Sequence, residues 1–159
     1  MMAIFSIRDV FEMAVKIEEK GEAFYRETAK IITHTKVKAL FEKLADEEVV
    51  HKNTFIRLAQ KLGNVSTGKV AREEFYAYLE AYTQNLIFSD VKAENKIPTI
   101  RGAQAALFYA IEKELDSVLY YTEVKELIPP SEHKLIDGII DEERRHVVRL
   151  SEMKKVLDR

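Results

Sequence analysis

Asp46-Glu47-Glu48-Val49-Val50-His51 and Asp141-Glu142-Glu143-Arg144-Arg145-His146 are two versions of one six-residue run. Each contains Glu-x-x-His. On an α-helix three residues turn about 300° and rise about 4.5 Å, so the carboxylate and the imidazole share a face one turn apart. One oxygen and one nitrogen ligand can then reach the same metal ion. In a chain with 33% charged residues a single such run is ordinarily a solvated helix face. Two runs with the same Asp-Glu-Glu lead-in, in a chain with four histidines, ask for a common explanation.

The surroundings of the two runs are helical. The chain has 159 residues, 47% of them hydrophobic, which suits one globular domain with a sizeable core. Five glycines and three prolines leave few breaks and favour long helices. Apolar spacing predicts helices over about 6–32 (stripe Phe11, Ala14, Tyr25, Ala29, Ile32) and 36–62 (Phe41, Leu44, Ala45, Phe55, Ala59, Leu62). The second stops at Gly63-Asn64. Two more run over about 102–127 (Leu107, Ala110, Ile111, Val118, Tyr121, with Ile128 beyond) and 131–157 (Ile136, Ile139, Ile140, Val147, Leu150, Leu157). Pro129-Pro130 separates them, and Ser131 is the expected cap of the last. Residues 64–101 are too long for a tight turn and suit a crossover along a bundle, with a short aromatic helix from Glu73 to about Leu86.

Carboxylates interrupt all four stripes. Glu18 falls inside the first, Glu48 and His51 in the second, Glu114 in the third, Glu143 and His146 in the fourth. Burying an unpaired charge is costly, so these positions need a partner. The turn near Thr33-His34-Thr35 lies midway between Glu18 and Glu48, and the turn near Ile128-Pro129 midway between Glu114 and Glu143. Antiparallel hairpins folded there bring each pair to one height. The halves are copies: a shift of 96 sets Ala14, Glu18 and Tyr25 on Ala110, Glu114 and Tyr121, and a shift of 95 superposes the two runs. That register also selects Glu18 over Glu22, whose counterpart is Val118.

The expected fold is therefore an all-α four-helix bundle, a single domain, with Glu18, Glu48, His51, Glu114, Glu143 and His146 converging inside it. Two divalent cations would neutralise its four carboxylates. A lone Glu from each of two helices and Glu-x-x-His from the other two is the donor set of carboxylate-bridged di-iron and di-manganese bundles. There is no cysteine, hence no disulfide, thiolate zinc site or iron–sulfur cluster. A net charge of -2 gives no reason to expect nucleic acid, and no apolar run reaches transmembrane length, which makes the cytoplasm the default location.

On Glu18 with Tyr25, Glu48-x-x-His51, Glu114 with Tyr121, and Glu143-x-x-His146, nearly the whole chain resembles the ferritin-like superfamily, and within it the rubrerythrin-type di-iron domains. The resemblance implies two iron ions (manganese is the alternative) bridged by Glu48 and Glu143, with Glu18, His51, Glu114 and His146 in the outer positions. Which imidazole shares a metal with which lone glutamate is left open. It implies peroxide or O2 as the small-molecule substrate, reduced with electrons from an external donor such as a rubredoxin-like protein, and a homodimer. The other readings are an iron-oxidising, iron-handling protein and a bundle that uses metal only for stability. Two departures stand out: rubrerythrins proper carry a cysteine-ligated rubredoxin iron, absent here, and an extra glutamate where this chain has Ser117.

Tyr25 and Tyr121 lie two turns from Glu18 and Glu114 and can hydrogen-bond ligand carboxylates, which makes them the candidate catalytic side chains. Glu47 and Glu142 stand one turn before each histidine and could orient it, but exposed helix surface is the expected reading. His34 and His133, near helix ends, are expected to face solvent. The aromatic run Phe75, Tyr76, Tyr78 and Tyr82 is expected to pack against the bundle or a second subunit.

Overall fold

The computed structural model describes residues 7–63, 73–82 and 102–159. Within them the chain forms α1 (Ile7–Ile31), α2 (Thr35–Leu62), α3 (Glu73–Tyr82), α4 (Gly102–Leu127), a 3-10 turn (Pro130–Glu132) and α5 (His133–Leu157). All described secondary structure is helical, and none of these helices is long and apolar enough to cross a membrane.

α1 packs along α2 and α4 along α5, two hairpins that face each other through α1 against α4 and α2 against α5. The apolar stripes explain the pairing. Phe11, Ala14, Tyr25 and Ala29 are buried on α1, Phe41, Leu44, Ala45 and Phe55 on α2, Leu107, Ala110 and Tyr121 on α4, and Ile136, Ile139, Ile140 and Leu150 on α5. The core divides in two. One apolar cluster gathers the α1 start, the α2 end, the α4 end and the α5 start around Phe11, Phe55, Tyr121 and Ile136. The other gathers the opposite ends around Tyr25, Phe41, Leu107 and Leu150. The glutamates and histidines of the duplicated runs fall between these two clusters along each helix.

The connections differ in detail from the sequence expectation. His34 does not face solvent: it is half-buried and caps α2, its Nδ1 accepting from the Val37 amide at 3.3 Å. His133 is also half-buried, with Nε2 3.1 Å from the Ile128 carbonyl. Ser131 is not a helix cap. Pro129, extended at φ −57° and ψ 141°, leads into the 3-10 turn, and α5 begins at His133 after Glu132, whose side chain makes no capping bond. A proline pair fixes φ but supplies no amide, so the chain takes a tight turn before the α-helical ladder can start.

α3 closes the first cluster. Leu79 and Tyr82 are buried in it, the Tyr82 hydroxyl donates to the Asp116 carbonyl at 2.8 Å, and its ring stacks on Tyr120 at 6.4 Å. This end of the aromatic run packs on the bundle. The side chains of Phe75 and Tyr76, and the expected helical residues 83–86, lie outside the described residues. Gly102 opens α4 at φ 86°, a left-handed backbone that glycine adopts without steric cost.

Candidate metal centre

Glu18, Glu48, His51, Glu114, Glu143 and His146 are all at most 5% exposed, in the layer between the two apolar clusters. They form two overlapping groups, Glu18-Glu48-His51-Glu143 and Glu48-Glu114-Glu143-His146, and within each group one ligand atom per residue lies within 4.8 Å of the others. Glu48 and Glu143 belong to both. His51 is grouped with Glu18, and His146 with Glu114.

The donor atoms point inward. His51 Nδ1 stands 2.9 Å from Glu143 Oε1 and 3.6 Å from Glu18 Oε2, and His146 Nδ1 stands 3.1–3.3 Å from Glu143, Glu48 and Glu114. Close as they are, these contacts lack the direction of hydrogen bonds: both Nδ1 atoms, Glu18 Oε2, Glu48 Oε1 and both Glu143 oxygens are buried without a hydrogen-bond partner. Orphaned polar atoms of this kind are rare in a core because each costs about 1–3 kcal/mol. Lone pairs aimed at a common point, from carboxylates and imidazoles with no thiolate, fit hard or borderline divalent ions. The cluster fits a metal pair.

A second ring of groups reaches across the bundle from the opposite hairpin. His51 Nε2 donates to Glu142 Oε2 at 2.6 Å, which leaves its Nδ1 lone pair for the centre. His146 Nε2 lies 3.0 Å from Glu47 Oε2, and Arg149 grips both oxygens of Glu47 at 2.6 and 3.2 Å. Burial raises the Glu47 pKa but Arg149 outweighs it, so the net shift is downward. Glu47 and Glu142 are thus partly exposed, as expected of helix surface, yet each also stands against a histidine of the opposite hairpin. The two imidazoles lie nearly parallel, ring centres 5.6 Å apart. The tyrosines cross over in the same way: Tyr25 donates to Glu114 Oε1 and Tyr121 to Glu18 Oε1, each to the lone glutamate of the other hairpin. Both phenols are held protonated, their pKa raised well above 10 by burial and by the carboxylates they face.

The charge balance without metal is carried by protons. Burial raises Glu48 well above the carboxylate range, and Glu18, Glu143 and Glu114 add to the shift. Burial and the charges of Glu114 and Glu18 push Glu143 up to about 8. Burial also raises Glu114, but His146, Glu143 and Tyr25 beside it turn the net shift downward. For the imidazoles burial favours the neutral form, yet the carboxylates win: Glu143 and Glu18 lift His51 to about 11, and Glu114 and Glu143 lift His146 to about 10.

One close approach was not read from the sequence. A Cβ at Gly21, in the middle of α1, would stand 3.0 Å from Glu48 Oε2 and 3.4 Å from its carboxyl carbon. A glycine inside a helix costs about 1 kcal/mol relative to alanine. Here it lets α2 bring Glu48 against the α1 backbone. A lone glycine in an otherwise regular helical stripe is the available signal.

The family model described as Rubrerythrin matches residues 9–104. The chain belongs to the rubrerythrin family. That match contains Glu18, Glu48 and His51, while the second half of the ligand set lies beyond it. The whole rubrerythrin-like bundle is similar to a crystal structure described as a ferritin-like diiron-carboxylate protein from Thermotoga maritima. The likeness has a TM-score of 0.71 at 26% identity and covers 98% of each chain. No curated protein matches in sequence. The fold is ferritin-like and all-α, and no rubredoxin-type cysteine cluster exists in the chain.

Proposed function

We propose that this protein is a di-iron oxidoreductase that reduces peroxide or O2 with electrons from a separate protein. The observation that carries the reading is the pair of buried donor groups sharing Glu48 and Glu143, since only a two-metal centre uses both. In this reading Glu18 with His51 would hold one ion and Glu114 with His146 the other, and Glu48 and Glu143 would serve both. Two irons supply the two electrons needed to cleave an O–O bond. Reduction of one hydrogen peroxide consumes two electrons and two protons and releases two waters.

The chain's own groups serve that balance. Glu142 hydrogen-bonds His51 and keeps its Nδ1 facing the centre, while Glu47 stands beside His146 Nε2 without a hydrogen bond. Tyr25 and Tyr121 each hold a proton at the hydroxyl, bonded to a lone glutamate, within reach of the centre. The two apolar clusters keep bulk water from both ends. The chain contains no cysteine and so no second iron centre of rubredoxin type to return the electrons. In this reading the electrons come from a donor outside these residues.

Stopped-flow mixing of anaerobic Fe(II)-loaded protein with peroxide tests this. The expected result is one rise of near-ultraviolet ferric absorption that then stops, and resumes only with a reductant such as a rubredoxin-like protein. Sustained unaided release of O2 would overturn it in favour of disproportionation by a manganese pair. No reaction would leave a centre that serves stability alone.

A further inference from the structure

The duplication that relates the two Glu-x-x-His runs breaks at one position beside the cluster. The 95-residue shift that sets His51 on His146 and Glu47 on Glu142 also sets Thr54 on Arg149 (54 and 149), each one turn after its histidine. Thr54 turns back on its own helix: its hydroxyl donates to the Val50 carbonyl and accepts from Arg57, both at 3.0 Å. Arg149 instead reaches from α5 across to α2 and holds both oxygens of Glu47, at 2.6 and 3.2 Å. Beside Glu142 the guanidinium is that of Arg145, at 3.8 Å, too far for a hydrogen bond.

The consequence falls on the imidazoles. Glu142 accepts the Nε2 proton of His51 at 2.6 Å. Glu47 stands 3.0 Å from His146 Nε2, but its oxygens are engaged by the guanidinium, and that nitrogen is buried with no hydrogen-bond partner among the described residues. A carboxylate that accepts from the outer nitrogen of a ligand histidine fixes the tautomer and makes the inner nitrogen a stronger donor. His51 has that support. His146 lacks it, because Arg149 holds the carboxylate in a bidentate, charge-assisted pair.

We propose that Arg149 makes the two metal positions unequal, so that a divalent ion fills the Glu18–His51 position before the Glu114–His146 position. The proposal rests on the two-metal reading above and adds an order of filling to it. Arg149 is a positioning residue, acting through Glu47 and His146. Loss of such an outer partner weakens metal affinity by about 10–100-fold, which sets the expected gap between the two steps.

Two measurements test this: calorimetric titration of Mn(II) into the metal-free protein, and manganese anomalous diffraction from crystals given one equivalent per chain. Wild type is expected to bind two ions in steps at least about tenfold apart, with the single-equivalent peak at Glu18–His51. Arg149→Thr, which copies the other half of the chain, releases Glu47 to His146. Its weaker step should tighten by about tenfold, and the two positions should share the single equivalent. A merely structural loss would weaken binding rather than tighten it. Glu142→Gln, the second variant, should weaken the first step by about tenfold. A first peak at Glu114–His146, equal peaks in wild type, a step weakened by Arg149→Thr, or a first step unchanged in Glu142→Gln would overturn the proposal and leave the two-metal reading standing. Binding of one ion or none by wild type would overturn both.

Discussion

Glu143 is fully buried, burial and then the charges of Glu114 and Glu18 push it up to about 8, and its oxygens have no hydrogen-bond partner. Without metal it and the raised histidines hold protons that the unfolded chain would release. The sign follows: where the folded state binds more protons, stability falls as pH rises. For Glu143 that loss runs from its ordinary value near 4.5 up to about 8, and for the histidines from 6.5 up to about 10–11. The metal-free protein should therefore melt at a lower temperature at about pH 8.5 than at about pH 6. The Mn(II)- or Fe(II)-loaded protein should lack that decline, because the cations replace the protons. Thermal melts in chelator and in metal at the two pH values check this, and parallel curves would contradict it. The six inward residues were legible in the sequence because each breaks an apolar stripe. Their crossing partners were not. Glu142 reaches His51 and Tyr25 reaches Glu114 from the other hairpin, and helical spacing speaks only of neighbours on one helix.

At the scale of elements, the helix boundaries follow apolar periodicity closely, and α2 and α4 match it to within a residue. The turns do not, since their hydrogen bonds depend on backbone geometry rather than on pattern. Sequence favours Ser131 as a cap, but the proline pair holds it inside the 3-10 turn, and at α2 the acceptor is His34. The two substitutions should differ accordingly. His34→Ala should cost about 1 kcal/mol, in the range of a lost N-cap. Ser131→Ala, at an exposed position without a cap, should stay within about 0.5 kcal/mol. Urea denaturation of both variants in one metal state measures this, and a larger loss at Ser131 would contradict the assignment. The 96-residue register reaches beyond the buried glutamates: it relates Gly21 to Ser117, and both line one cavity between α1 and α4.

The whole molecule is two copies of one helical hairpin closed on a polar layer, with apolar cores above and below. Neither hairpin completes a donor group alone, because each group draws residues from both. On the proposed reading the layer holds two metal ions that share Glu48 and Glu143. Anomalous diffraction at the iron edge, from crystals of anaerobically Fe(II)-loaded protein, tests it most directly. Two iron peaks per chain are expected, one between Glu18 and His51 and one between Glu114 and His146, with Glu48 and Glu143 contacting both. A single peak, no peak, or iron bound only outside this layer would contradict it.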